Sequence, residues 1–129
     1  HKRWPAENFA EIAIILKEKN IDTVILGQSS SEGEEIKKIK SLSPFSIDYS
    51  DKDLSFLATM ASKAVGAIAN DTGPTFIVAA VGCPVTWLLS SHTNPKITQL
   101  VGSKVNTLKK EDIREISVEE VKNNLALRH

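Results

Sequence analysis

The chain of 129 residues encodes a mixed α/β fold built on a parallel sheet, and two features of its patterning point there. Short uncharged apolar runs of about five residues alternate with amphipathic stretches of about ten. The apolar runs also lack the in-out alternation of a sheet with one wet face, as expected of strands covered on both faces by crossover helices.

The first helix follows Pro5, a residue suited to an opening helical turn, and Phe9, Ile12, Ala13 and Leu16 recur on one face until Asn20 offers a stop. Thr23-Val24-Ile25-Leu26 is β-branched and unbroken by polar residues, a buried strand that Gly27 ends. Ser31 to Glu34 has the spacing of a capping box, with Ile36, Ile39 and Leu42 as the apolar stripe of a second helix that Pro44 stops. Phe45 to Tyr49 reads as a short strand, and a third helix carrying Leu54, Leu57, Met60 and Ala61 is expected to be capped near Asp51. Ala64 to Ala69 is again a strand, Pro74 opens a helix of small residues that Gly82 closes, and Val85 to Leu89 is the next strand. A weaker strand near Val105 to Leu108 and a helix behind a second capping box, Ser117 to Glu120, carrying Val118, Val121 and Leu125, complete the chain. Repeated strand-helix-strand units of this kind make a three-layer, Rossmann-like α/β/α domain. At this length, one domain over residues 1–129 is expected.

Bulk properties narrow the function. Hydrophobic residues are 41% and charged residues 25%, with sixteen acids balancing sixteen lysines and arginines, so neither a disordered chain nor a nucleic-acid binder is expected. The longest apolar stretch, near Phe76 to Leu89, is interrupted by Gly82, Cys83 and Pro84, unlike a membrane span of about 20 residues. A single cysteine, Cys83, forms no internal disulfide or thiolate zinc cluster, and its apolar flanks mark it as a small buried hydrophobe in a cytosolic protein. No secretory leader opens the sequence, and its abrupt His1 start and Arg128-His129 end are those expected of a piece of a longer protein or of tag remnants.

The most informative stretch is Asn70-Asp71-Thr72-Gly73-Pro74. It lies between a strand and a helix, at the carboxyl end of the strand, where open α/β sheets bind ligands. Gly73 permits close approach and Pro74 presets the helix, whose free N–H groups favour an anion by about 0.3–1 kcal/mol for one exposed charge. Two readings remain open at this point: Asp71 or Thr72 caps the helix with no ligand involved, or the turn holds one.

Several segments together resemble glycosyltransferase family nine, the ADP-heptose:lipopolysaccharide heptosyltransferases, over most of the chain. They are Lys2-Arg3-Trp4-Pro5 with Asn8-Phe9, Val24-Ile25-Leu26-Gly27, the Asn70–Pro74 turn with Ala79 to Val85, and Thr93-Asn94-Pro95. The resemblance implies the C-terminal, donor-binding half of a GT-B enzyme, two facing Rossmann-like domains that transfer a heptose-like sugar with inversion and without a metal or other cofactor. It implies partners of two kinds: a nucleotide-diphosphate sugar such as ADP-heptose, and a lipid-linked saccharide acceptor held by an N-terminal domain that also supplies the catalytic base. No catalytic residue falls in this chain. Lys2 corresponds to a basic residue beside the donor phosphates, while Asp71, Thr72, Gly73 and Pro74 form the turn around the donor sugar and pyrophosphate. Glu32 corresponds to the carboxylate on the ribose, and Thr93 lies in the cleft-lining stretch Ser90 to Asn94. The implied setting is the cytoplasm of a Gram-negative bacterium, with peripheral attachment to the inner face of the inner membrane compatible with it.

Read without the resemblance, Lys2 is a solvated lysine, Trp4 a packing residue and Glu32 a first-turn carboxylate favoured by the helix dipole. The chain also departs from the family pattern. Phe76 stands where a histidine is common, Ser91-His92 replace Gly-Pro, and Gln28 replaces a frequent glycine. These departures support two further readings: a degenerate, non-catalytic α/β module that binds a protein partner, and a GT-B transferase or sugar epimerase that uses another nucleotide sugar, such as a uridine nucleotide.

Overall fold

The computed structural model describes residues 3–70, 73–90 and 104–128, with the backbone alone for Gly73 and Pro74. Its elements are α1 Ala6–Glu18, β1 Val24–Ile25, α2 Ser29–Leu42, β2 Ile47–Asp48, α3 Leu54–Lys63, β3 Ala67–Ala69, α4 Gly73–Ala80, β4 Val85–Ser90, β5 Val105–Lys110, a 3₁₀ turn Ile113–Glu115, and α5 Val118–Asn123. All three strand pairings are parallel, as the alternation of elements anticipates. They form two ladders, β1-β2 and β3-β4-β5. Contacts group the chain into two compact units, residues 5–53 and residues 1–4 with 54–129.

In the unit of residues 5–53, α1 buries Ala10, Ile12, Ala13 and Leu16 along one stripe. It ends where Asn20 takes a left-handed φ of 62°, a conformation asparagine tolerates better than most residues. The second helix departs from its expected start: α2 begins at Ser29, and its N-cap Gln28 makes no side-chain cap. Ser31 and Glu34 therefore lie inside the helix. The cap comes from elsewhere in the chain, because Asp51 Oδ1 accepts the Ser29 N–H at 2.8 Å. Asp51, near which the cap of α3 is expected, thus serves the start of α2. At the other end of α2, Ser43 and Ser46 are fully buried. Their hydroxyls are joined to one another and, through Ser46, to Thr23, and Ser43 Oγ donates to the Ile39 carbonyl. Hydrogen bonds among these buried hydroxyls offset the cost of taking them out of water. The Lys40 ammonium donates to the carbonyls of Pro44 and Ser46 and closes the corner between helix and strand.

In the other unit, β4 is the centre. All six of its residues are buried, and it pairs with β3 on one edge and β5 on the other, Trp87 standing opposite both Ala69 and Thr107. Val85, Trp87 and Leu89 point into a cluster with Leu57, Ala61, Val78, Ala79 and Cys83 from α3, α4 and the turn that follows α4. Cys83 is wholly buried, and burial pushes its thiol pKa up, as expected for a small hydrophobe rather than a reactive group. The intervening Thr86 points the other way, and its Oγ1 accepts the Ala126 N–H at 2.9 Å.

That bond anchors the C-terminal tail. Arg128 N–H donates to the Val65 carbonyl and its guanidinium to the carbonyls of Ala64 and Ser62, so the tail crosses the amino ends of the strands. A 3₁₀ turn, not expected from apolar periodicity, precedes α5; Asp112 and Glu115 form a capping box on it. The Arg114 guanidinium holds the Asp112 carboxyl down at about 2. The capping box predicted for the last helix is present, between Ser117 and Glu120.

Gly66 is demanded by the tail, since a Cβ there would lie 2.5 Å from the Ala126 carbonyl oxygen. Gly66→Ala is expected to destabilise the fold by about 1–3 kcal/mol, read as a lowered Tm, because a backbone atom rather than a mobile side chain blocks the methyl. Thr86→Val, of similar volume, is expected to cost about 1–3 kcal/mol by leaving the buried Ala126 N–H unpartnered.

Candidate functional site

Within the Asn70–Pro74 stretch, Asn70 follows the carboxyl end of β3 at Ala69 and Gly73 opens α4. Gly73 and Pro74 form the first turn of α4, a helix whose opening turn carries no acidic residue. Its N-terminal dipole is thus not offset by a carboxylate of its own first turn, the condition under which a helix start favours an anion. Lys2, Asp71, Thr72 and Thr93 lie outside the described residues, as do Ser91 and His92.

Two residues that the sequence does not single out as site residues, Trp4 and Thr75, hold Asn70 in place. Asn70 Oδ1 accepts the Trp4 N–H at 3.0 Å. The Asn70 carbonyl accepts the Thr75 hydroxyl at 3.0 Å, and Thr75 is 3% exposed. Trp4 is itself fixed, 1% exposed with its indole Nε1 donating to the Ile116 carbonyl at 2.7 Å, which makes it the packing residue expected. Asn70 is therefore clamped through its side chain on one side and its carbonyl on the other, at the point where the chain leaves the sheet. The sequence signal for this clamp is the Asn–x₄–Thr spacing across Gly-Pro, which is legible only once the turn geometry is known.

Glu32 lies in the other unit, on the first turn of α2. Its Oε1 accepts the Gln28 N–H at 3.1 Å, the back-reaching contact expected of a first-turn carboxylate. The same oxygen would lie 3.1 Å from a Cβ on Gly27, whose φ of 156° is also unfavourable for a side chain. The Gly27 carbonyl accepts the Asp51 N–H at 2.8 Å, so one residue, Asp51, secures the turn through its backbone and the helix start through its carboxylate. Beside this turn, Ser29, Ser30, Ser31, Gly33 and Glu34 help line an open cavity of about 400 Å³. Phe76, the departure from the family histidine, is on α4 and 37% exposed.

Among the described residues, no group of three or more histidines, cysteines or carboxylates is gathered as for a metal ion. No described helix is long and apolar enough to cross a membrane.

Hydrogen bonds from the Ser29 hydroxyl and N–H hold the Asp51 carboxyl below its ordinary value. A depressed acid contributes its stabilisation fully above its unfolded value and loses it as pH falls through the lower, folded one. Below about pH 4 the first turn of α2 is therefore expected to fray progressively, seen as faster amide exchange at Ser29. Asp51→Ala is expected to give the same fraying at neutral pH.

No curated protein matches the chain in sequence. Two solved structures share its fold. One is a glycosyl transferase family 9 protein from Veillonella parvula DSM 2008, 23% identical with a TM-score of 0.85, matched over 95% of this chain and 40% of that one. The other is the E. coli heptosyltransferase WaaC with ADP, 19% identical with a TM-score of 0.84, over 95% of this chain and 38% of that one. The chain thus spans about two fifths of the length of these structures, and both confirm the expected half of a GT-B architecture. The family model for glycosyltransferase family 9 (heptosyltransferase) matches residues 1–126, and the chain belongs to that family.

Proposed function

We propose that residues 1–129 are the donor-binding half of a longer two-domain glycosyltransferase that moves a heptose-like sugar from a nucleotide diphosphate to a lipid-linked saccharide with inversion. The support is the family match across residues 1–126 together with a helix start, free of first-turn acids, at the carboxyl end of β3. A departing nucleoside diphosphate gains negative charge as the glycosidic bond breaks. Preorganised donors lower the barrier most where that charge develops. In this reading the Gly73 end of α4 and the Lys2 ammonium meet the phosphates, Asp71 and Thr72 hold the sugar and pyrophosphate, and Thr93 lines the cleft.

The Glu32 carboxylate is placed on the first turn of a helix whose approach is held by Asp51. There it accepts hydrogen bonds from ribose hydroxyls in this reading. The base that takes the acceptor's proton belongs to the other half of the enzyme, so the isolated chain binds donor without turning it over. ADP is the nucleotide and lipopolysaccharide core the acceptor in this proposal, and the enzyme works at the cytoplasmic face of the inner membrane.

Isothermal titration of the two-domain protein with ADP and ADP-heptose tests the reading. Saturable binding is expected, UDP competing poorly, and Asp71→Ala weakening ADP-heptose at least about ten-fold, or about 1.4 kcal/mol. No saturation at millimolar ADP, or equal competition by UDP, would overturn the assignment of the donor.

A further inference from the structure

We propose that Asp51 is a positioning residue for the nucleotide sugar: by capping α2 it fixes the Glu32 carboxylate so that Oε2 accepts a hydroxyl of the ribose. This role rests on the assignment of Glu32 to the ribose under the proposed function. All the protein atoms involved lie in the unit of residues 5–53.

The backbone N–H groups at the start of α2 are already engaged. Ser29 N–H donates to Asp51 Oδ1 and Gln28 N–H to Glu32 Oε1, while those of Ser31 and Glu32 donate to the Gln28 carbonyl. With these donors taken and two carboxylates beside it, this helix start disfavours a phosphate. What it offers a ligand is an acceptor. Glu32 is half-buried, its Oε1 is tied to Gln28, and among the described residues its Oε2 has no hydrogen-bond partner. A carboxylate oxygen in that state suits a neutral hydroxyl donor.

Where Oε2 stands depends on where Gln28 stands, and Asp51 decides that. Its N–H donates to the Gly27 carbonyl at 2.8 Å and its Oδ1 accepts from Ser29 at 2.8 Å, so one residue holds the chain on both sides of Gln28. Gln28 makes no side-chain cap of its own. Gly27 leaves the room that the carboxylate fills, since a Cβ there would lie 3.1 Å from Glu32 Oε1. Asp51 is exposed and has a left-handed φ of 63°, a conformation that glycine and asparagine adopt readily. Asp51→Gly therefore removes the cap while keeping the backbone N–H in place, and Asp51→Asn keeps an acceptor for Ser29.

Dissociation constants of ADP and of 2′,3′-dideoxy-ADP, measured on the two-domain protein, test the role through their ratio. The ratio reports the hydroxyl contacts, and a general loss of folded protein leaves it unchanged. Dideoxy-ADP is expected to bind at least about ten-fold more weakly than ADP to the unaltered protein and to Asp51→Asn, and less than about three-fold more weakly to Asp51→Gly. An unchanged ratio in Asp51→Gly would refute the positioning role while leaving ADP binding, and with it the proposed function, intact. Saturable ADP binding with a ratio near one in the unaltered protein would remove the Glu32 contact and the role of Asp51 together. No ADP binding at all would remove the proposed function as well.

Discussion

Burial of β4 on both faces and pairing on both edges is the constraint on which the larger unit depends. A strand with no exposed residue must send every backbone group into a ladder, because a buried unpaired amide costs as much as a lost hydrogen bond. The register with β3 and β5 meets that demand. It also fixes which side chains face which layer. Val85, Trp87 and Leu89 go to the helices α3 and α4, while Thr86 goes to the tail. The tail in turn sets the requirement for Gly66, so constraints at the amino ends of the strands all trace to one buried strand.

A parallel sheet places all its strand-to-helix turns on one rim, and the tail occupies the other. At the carboxyl end of β3 the chain is clamped. Asn70 is held by Trp4 and Thr75, and Trp4 is held by Ile116. In the proposed donor-binding role, such a clamp lowers the cost of ordering this part of the chain when a ligand binds. In the smaller unit, Asp51 plays a comparable part for the Gly27 turn and the start of α2.

Most of the fold was legible in the sequence because its signals are local. A β-branched run marked β1, an apolar run marked β4, helical spacing marked α1 and α3, and the Ser117–Glu120 box marked α5. The failures were also physical. The expected box at Ser31–Glu34 lost to a cap supplied by Asp51 from 22 residues away, and spacing rules have no access to such a partner. The 3₁₀ turn carries its own box at Asp112–Glu115, but it is too short to show apolar periodicity. At the candidate site, the strand-turn-helix placement of Gly73 and Pro74 was readable, whereas Asn70, Thr75 and Trp4 as its supports were not.

Residue order alone determined the parallel α/β class and most of the sequence of elements, because each rests on neighbours within a few residues, while the resemblance to the family rests on the order and spacing of motifs along most of the chain. Only tertiary structure decided which carboxylate caps α2, why residue 66 must be glycine, and what fixes Asn70. Those outcomes depend on atoms brought together from distant parts of the chain. Their distances are set by packing, and no local pattern carries them.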